Sequence, residues 1–232
     1  EHRKYLPQEA RETDDSYDVR LSRSTVVPYL QRIEKMLSGM LVRKPVRLDD
    51  VTDLVREQLF DVDLEGNDLN VWLYQTARQA ISFGHVGVLV DAPKEGDKTR
   101  PYWVTYTPKD ILGWRSEIIE GSRQLTQLRL MEQVVEPDGK YGDKIIKQIR
   151  VLERGRYEIH RKDDKKNEYR LFDEGEMSLK DKIPFAIAYS NRVGYYESRS
   201  PLYDIAELNL KHYQIQSDLD NILHISSVPL LA

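Results

Sequence analysis

The sequence predicts an α+β chain with N-terminal helices, a β-rich middle and a long C-terminal helix. Three observations predict it. Apolar residues recur at helical spacing up to Gly84. After Gly84 the chain switches to short apolar runs and period-two alternation, punctuated by turn residues. From Ser200 the helical period returns for about six turns. The 232 residues suffice for one large domain or two small ones.

Residues 1–13 are polar and read as an irregular arm. A helix is expected from Asp14: Thr13 caps it, and Asp14, Asp15 and Asp18 suit the positive end of its dipole. Tyr17, Leu21 and Ser24 share one side. Pro28 interrupts the pattern. A second helix follows, with Leu30, Ile33, Met36 (or Leu37) and Met40 on one face, ending between Gly39 and Pro45. Residues 49–60 are a weaker helical stretch. "DVDLEGNDLNVWL" imitates a calcium loop through Asp61, Asp63, Glu65 and Gly66, but the twelfth position, where calcium needs a bidentate Glu, is Trp72. The stretch reads instead as a turn at Gly66 and a cap at Asn67 for a helix from Asp68. Leu69, Trp72, Leu73, Thr76, Ala80 and Phe83 face inward on that helix, and Gly84 is its C-cap.

Val86–Val90 and Tyr102–Tyr106 are strands, and Thr107–Asp110 is a short helical turn. From Trp114 to Phe172 the chain reads as an antiparallel meander. Leu128 and Leu130 alternate with polar residues, Glu136–Gly139 forms a turn, strands 144–154 and 156–161 join at Gly155, and a charged tip spans 161–168. Ile183–Tyr189 is a strand with Pro184 near its start. A loop rich in Tyr, Arg and Gly leads to Ser200-Pro201, which start the last helix.

Composition restricts function. Hydrophobic residues make up 40 % and charged residues 32 %, and the net charge is −4, so no global basic field marks a nucleic-acid binder. The absence of cysteine excludes disulfides and thiolate metal sites and favours an intracellular origin. No apolar run reaches the roughly 20 residues of a membrane helix, and no apolar signal-peptide core follows the N-terminus. The five histidines are scattered without an HExxH pair, so no metal or cofactor is expected. "EGDKTR" at 95–100 lacks the Walker spacing. The paired acids Asp14/Asp15, Asp49/Asp50 and Asp163/Asp164 read as solvated, and the fourteen tyrosines as strand and core residues rather than a base-stacking surface.

The last helix is the segment with most to say. At about 100° per residue, Asp204, Glu207, Lys211, Gln214, Asp218 and Asn221 form a polar stripe. Leu202, Ile205, Leu208, Ile215, Leu219, Ile222 and Leu223 cover a wide apolar face. Between Pro201 and His224 stand four acids and one base, a charge of −3.

Seven segments in order carry a resemblance. They are "RKYLPQEARETDDSYDVRLSRS", "LSGMLVRKP", "DVDLEGNDLNVWL", "FGHVGVLVDAP", "RPYWVTYTPKDILGWR", "IPFAIAYSNR" and "SPLYDIAELNLKHYQIQSDLDNILHISSVP". Together they resemble the portal, or head-to-tail connector, proteins of tailed bacteriophages, within a phage family catalogued as a domain of unknown function. The resemblance implies a non-enzymatic, cofactor-free ring of about twelve copies at one capsid vertex, assembled in the host cytoplasm and carried in the virion. Double-stranded DNA passes through such a ring. Its partners are its own copies, the terminase that supplies the ATPase, and capsid and tail adaptor proteins, with no membrane. The resemblance implies a division into a wing domain, 1–190 with its body from residue 14, and the start of the stem, 191–232, with the helix from Pro201 as the first stem helix and Val228 onward as the entry of the clip. Relatives continue into a clip, second stem helix, channel helix and crown, so the chain is expected to be part of a longer one.

On this reading Asp204, Glu207, Lys211, Gln214 and Asp218 are candidates for the channel or subunit interface. Arg192 and Arg199 are candidates to meet a neighbour's acids or DNA. Twelve helices at −3 would place about −36 around a channel, which discourages phosphate from sticking. An obligate ring subunit should also expose apolar surface, and the apolar face of this helix is the candidate. Two alternatives stand beside it: a hydrolase working through scattered acids such as Asp91 and Asp110, and a monomeric α+β binding module whose last helix folds back on the domain.

Overall fold

A computed structural model describes residues 2–92, 100–163 and 168–227 of the chain. Most of the "EGDKTR" stretch, the charged tip around Asp164 and everything from Val228 lie outside the described residues.

The architecture is α+β, as the sequence predicts, with N-terminal helices, a β-sheet region and a long final helix. The arm opens with one helical turn, α1 (His2–Tyr5). Then come α2 (Asp14–Arg23), α3 (Tyr29–Leu41), α4 (Asp53–Gln58) and α5 (Leu69–Phe83). Thr13 caps α2 by accepting from the Ser16 amide at 3.3 Å. Pro28 is the N-cap of α3, so the chain bends where the proline requires it. On α3 the inward residues are Leu30, Ile33, Leu37 and the buried Ser38, while Met36 and Met40 stay exposed. Leu37 rather than Met36 is therefore in phase with the packed face.

The cap of α5 is Asp68 rather than Asn67: its carboxylate accepts from the Val71 amide at 2.9 Å. Asn67 is held by Asp63, which accepts from its side-chain amide at 2.7 Å. Asp61 accepts from the Gly66 amide at 2.9 Å. The acids of the calcium-like stretch thus close their own turn. On α5 the buried residues are Trp72, Thr76, Ala80 and Ile81. Phe83 is in phase with Trp72 and Thr76 but lies in the last turn, where it is exposed beside the Lys109 ammonium at 5.2 Å.

Three strands form the first sheet in the order β2-β1-β8, all antiparallel: β1 (His85–Asp91), β2 (Tyr102–Tyr106) and β8 (Phe185–Tyr189). The meander is a five-stranded sheet in sequence order: β3 (Ile111–Ile119), β4 (Ser122–Asp138), β5 (Gly142–Glu153), β6 (Arg156–Asp163) and β7 (Glu168–Glu176). The strand β4 continues through Pro137 and Asp138, so the tight turn falls at 139–141 and begins three residues later than expected. The Tyr-rich loop contains a small hairpin, β9 (Arg192–Gly194) with β10 (Glu197–Ser198). Thr107–Asp110 is a single turn closed by the Asp110 amide on the Thr107 carbonyl at 2.9 Å.

Period-two alternation joins the two sheets. Leu128 and Leu130 of β4 and Leu152 of β5 point to one side and pack with Leu89 of β1, Tyr106 of β2 and Ile183. Leu128 and Leu130 are fully buried. The alternate residue of β1, Val86, is also fully buried on a strand that packs against α5. The layers are therefore helix, three-stranded sheet, five-stranded sheet.

Candidate functional site

The long helix is α6 (Tyr203–Ser227), 25 residues or about 37 Å. Ser200 sets its start. The Ser200 hydroxyl accepts from the Leu202 amide at 3.1 Å and donates to the Ile81 carbonyl at 3.0 Å, which fastens the entry of α6 to the end of α5.

Two opposed faces then separate along α6. Leu202, Tyr213 and Ser217 are buried and form the docked face. Tyr213 packs with Leu6 of the arm and Tyr17 of α2, flanked by Leu21 and Leu210, in a small core separate from the one between the sheets. On the opposite side Leu208, Ile215, Leu219 and Ile222 are 66, 56, 46 and 62 % exposed. At about 100° per residue these four fall within about 60° of one another. The single wide apolar face expected from the sequence is therefore split. Leu202 is buried and Ile205 half-buried, while Leu208, Ile215, Leu219, Ile222 and Leu223 face away from the chain. The physical reason is Arg20. The body meets the middle of α6 through a buried guanidinium, and this selects Ser217 for contact rather than a leucine.

That guanidinium is 4 % exposed and saturated with partners. It donates to both Glu12 oxygens at 2.8 and 2.7 Å and to the Pro7 carbonyl at 2.8 Å. It reaches Ser217 at 3.4 Å and Asp218 at 3.6 Å. The hydrogen bond from Arg20 holds the Glu12 carboxyl below the usual range, and the same bond raises Arg20. Bidentate pairing of this kind is the strong form of the interaction. Exchanging Glu12 for Gln is expected to weaken arm docking by about 2 kcal/mol, the scale of a hydrogen bond to a charged group. Because the arm has its own small core, faster proteolysis or amide exchange within residues 2–24 should report the loss before the global melting temperature does.

The polar-stripe residues divide in the same way. Asp204 pairs with Arg199 at 3.0 Å, and the Arg199 guanidinium lies over the Tyr203 ring at 4.9 Å. In this chain Arg199 therefore answers its own helix's first acid, at the helix end that favours negative charge. Glu207 stands one turn from Tyr203 and its carboxylate raises the Tyr203 hydroxyl. Lys211 is exposed. Gln214 donates to the Tyr5 carbonyl at 3.0 Å, and Asp218 faces Arg20, so both turn toward the arm. Arg192 donates to the Gly194 carbonyl at 3.2 Å and lies 5.3 Å over the Tyr189 ring.

A second constellation lines a cleft of about 500 Å³ between the sheets. Arg150 contacts Asp91 at 2.7 Å and Glu132 at 2.8 Å. Glu132 also accepts from Tyr106 at 2.6 Å and Gln148 at 2.7 Å, and Asp91 accepts from Tyr102 at 3.2 Å. Desolvation opposes the charge on Arg150, but Glu132 and Asp91 outweigh it and keep the group cationic. Burial, reinforced by Glu132, pushes the Tyr106 hydroxyl far above its ordinary value. Asp110 lines the same cleft and accepts from the Thr107 amide at 3.1 Å and hydroxyl at 2.6 Å. Asp91 and Asp110 thus share a cleft, but each is engaged by its own structural partners. Neither Arg150 nor Glu132 is a sequence-predicted site residue. The sequence signal for Arg150 is its phase: it stands two residues before the core residue Leu152 on β5.

Among the described residues no group of three or more His, Asp or Glu side chains is arranged to hold a metal ion. No described helix is long and apolar enough to cross a membrane. A family described as a domain of unknown function (DUF4055) matches residues 201–232, the stretch that contains α6. No curated protein matches the chain.

Proposed function

We propose that this chain is the wing and first stem helix of a phage portal protein, a ring subunit that conducts double-stranded DNA and docks the terminase and tail adaptors. One observation carries the reading. The face of α6 opposite its docked side exposes four large aliphatic residues in register, flanked by Asp204, Glu207 and Asp218. A folded monomer gains nothing from such a stripe, whereas a subunit that associates along the helix buries it. The excess of acid over base along α6, four against one, suits a conduit more than a phosphate-binding surface. The family match falls on this same helix, and its description assigns no function.

The test is the mass and shape of the natural full-length protein, by mass photometry with negative-stain microscopy. Closed rings of about a dozen subunits with a central hole are expected. A monomer throughout a wide concentration range would overturn the proposal.

A further inference from the structure

The stripe on α6 needs an occupant, and the chain itself carries a surface of matching chemistry. At the edge of its packed side and toward its C-terminal end, α3 leaves Met36 and Met40 57 and 66 % exposed, and Leu41 just beyond them 68 % exposed. Basic residues surround these three. Between Tyr29 and Arg47 there are five cations, Arg32, Lys35, Arg43, Lys44 and Arg47, all exposed. The one acid in that span, Glu34, is turned inward and consumed by Arg78 at 3.1 Å and Ser82 at 2.8 Å. An apolar centre with a cationic rim on α3 thus matches an apolar centre with an anionic flank on α6.

Gly39 adds an independent observation. It lies within α3 one turn from Met36 on the exposed side, and a Cβ built there meets nothing within 4 Å. A helical glycine destabilises its helix relative to alanine, and no neighbour within the chain requires the missing side chain. Its position suits the close approach of another helix.

Both surfaces are exposed in the same folded chain, so they cannot cover each other within one copy. We infer that the Leu208–Ile222 stripe of α6 in one copy docks on the basic, methionine-bearing face of α3 in the next. The contact joins two different patches and is heterologous, the kind that propagates head to tail and closes into a ring when the rotation allows. The inference rests on the ring reading above and names the surface that meets the helix. Opposed charges at the rim fix the register and disfavour α6 meeting α6, where acids would face acids.

These 232 residues contain no cysteine, so a thiol placed on either face has no competitor among them, and any cysteine elsewhere in the full-length protein is first replaced by serine. Full-length protein carrying Met40→Cys is mixed with protein carrying Ile215→Cys under mild oxidation, with Tyr141→Cys, 88 % exposed at a distant hairpin tip, as the collision control. The expected result is a covalent dimer from the mixture, at least tenfold above either variant alone and above mixtures with the control. A dimer from Ile215→Cys alone would mean that α6 packs on α6, which overturns this inference and leaves self-association standing. Cross-linking from the mixture together with open chains by microscopy would keep the contact and overturn the ring. No cross-link in any combination, from a protein that sediments as a monomer, would overturn both. As a second readout, Lys35→Glu should weaken association at least tenfold, and Glu207→Lys, away from the Arg20 cluster, should restore it. Failure of that restoration overturns the charge pairing.

Discussion

Replacing Arg150 with methionine is expected to destabilise the fold by about 3–5 kcal/mol, the cost of removing one partner from a buried ion cluster. The side chain of Arg150 is 19 % exposed, and those of Asp91 and Glu132 are 17 and 11 % exposed. Without the guanidinium, two carboxylates face one cleft with only Tyr102, Tyr106 and Gln148 to donate to them. The stranded charges then repel each other with little of their surface open to water. Urea unfolding at neutral pH reads the loss. A companion variant, Arg150→Met with Asp91→Asn and Glu132→Gln, removes the stranded charges and should recover most of the loss. A deficit below about 1 kcal/mol for the single variant would mean that the cleft is wet enough to solvate the acids unaided.

That cluster also marks the limit of what the sequence makes legible. Alternation around Leu128 and Leu130, the apolar run from Val86 to Val90 and the glycine after Phe83 each carry a local signal, and each element forms close to where that signal lies. Arg150 has the phase of a core residue but the chemistry of a surface one. Only the fold brings Asp91, 59 positions away, within 2.7 Å of it. The same holds for α6. Large apolar residues occur nearly all round that helix, so periodicity does not choose the docked face. Arg20 chooses it, through a hydroxyl 197 positions distant in sequence. Caps behave similarly on a smaller scale. Asn67 and Asp68 are both good cap residues, and Asp63 decides between them by binding the first. The polar stripe expected on α6 is present as a set of residues, but Gln214 and Asp218 are partly drawn to the arm, which periodicity alone does not reveal.

Exchanging Gly84 for alanine is the substitution expected to act most directly on α6 without touching it. Gly84 ends α5 at φ 91°, a conformation that costs any residue with a Cβ. The added carbon would lie 2.5 Å from the Ser198 hydroxyl oxygen, 2.8 Å from the Arg199 carbonyl carbon and 2.9 Å from the Ser200 amide nitrogen. Two of these atoms are backbone and cannot rotate away. The Gly84 carbonyl also accepts from the Ser190 amide at 2.9 Å and its hydroxyl at 3.0 Å. One residue therefore joins the end of α5, the end of β8 and the entry to α6. Backbone strain and overpacking together should cost about 3–4 kcal/mol. Relief requires Ser198–Ser200 to move, and Ser200 holds the start of α6 against Ile81. The variant should therefore lose association more than its global stability alone explains. Ser200→Ala separates the two effects, because it removes the tether to Ile81 without the clash. If Gly84→Ala melts within a degree or two of the natural chain and associates normally, the junction is compliant and α6 is aimed by the arm and Arg20 instead.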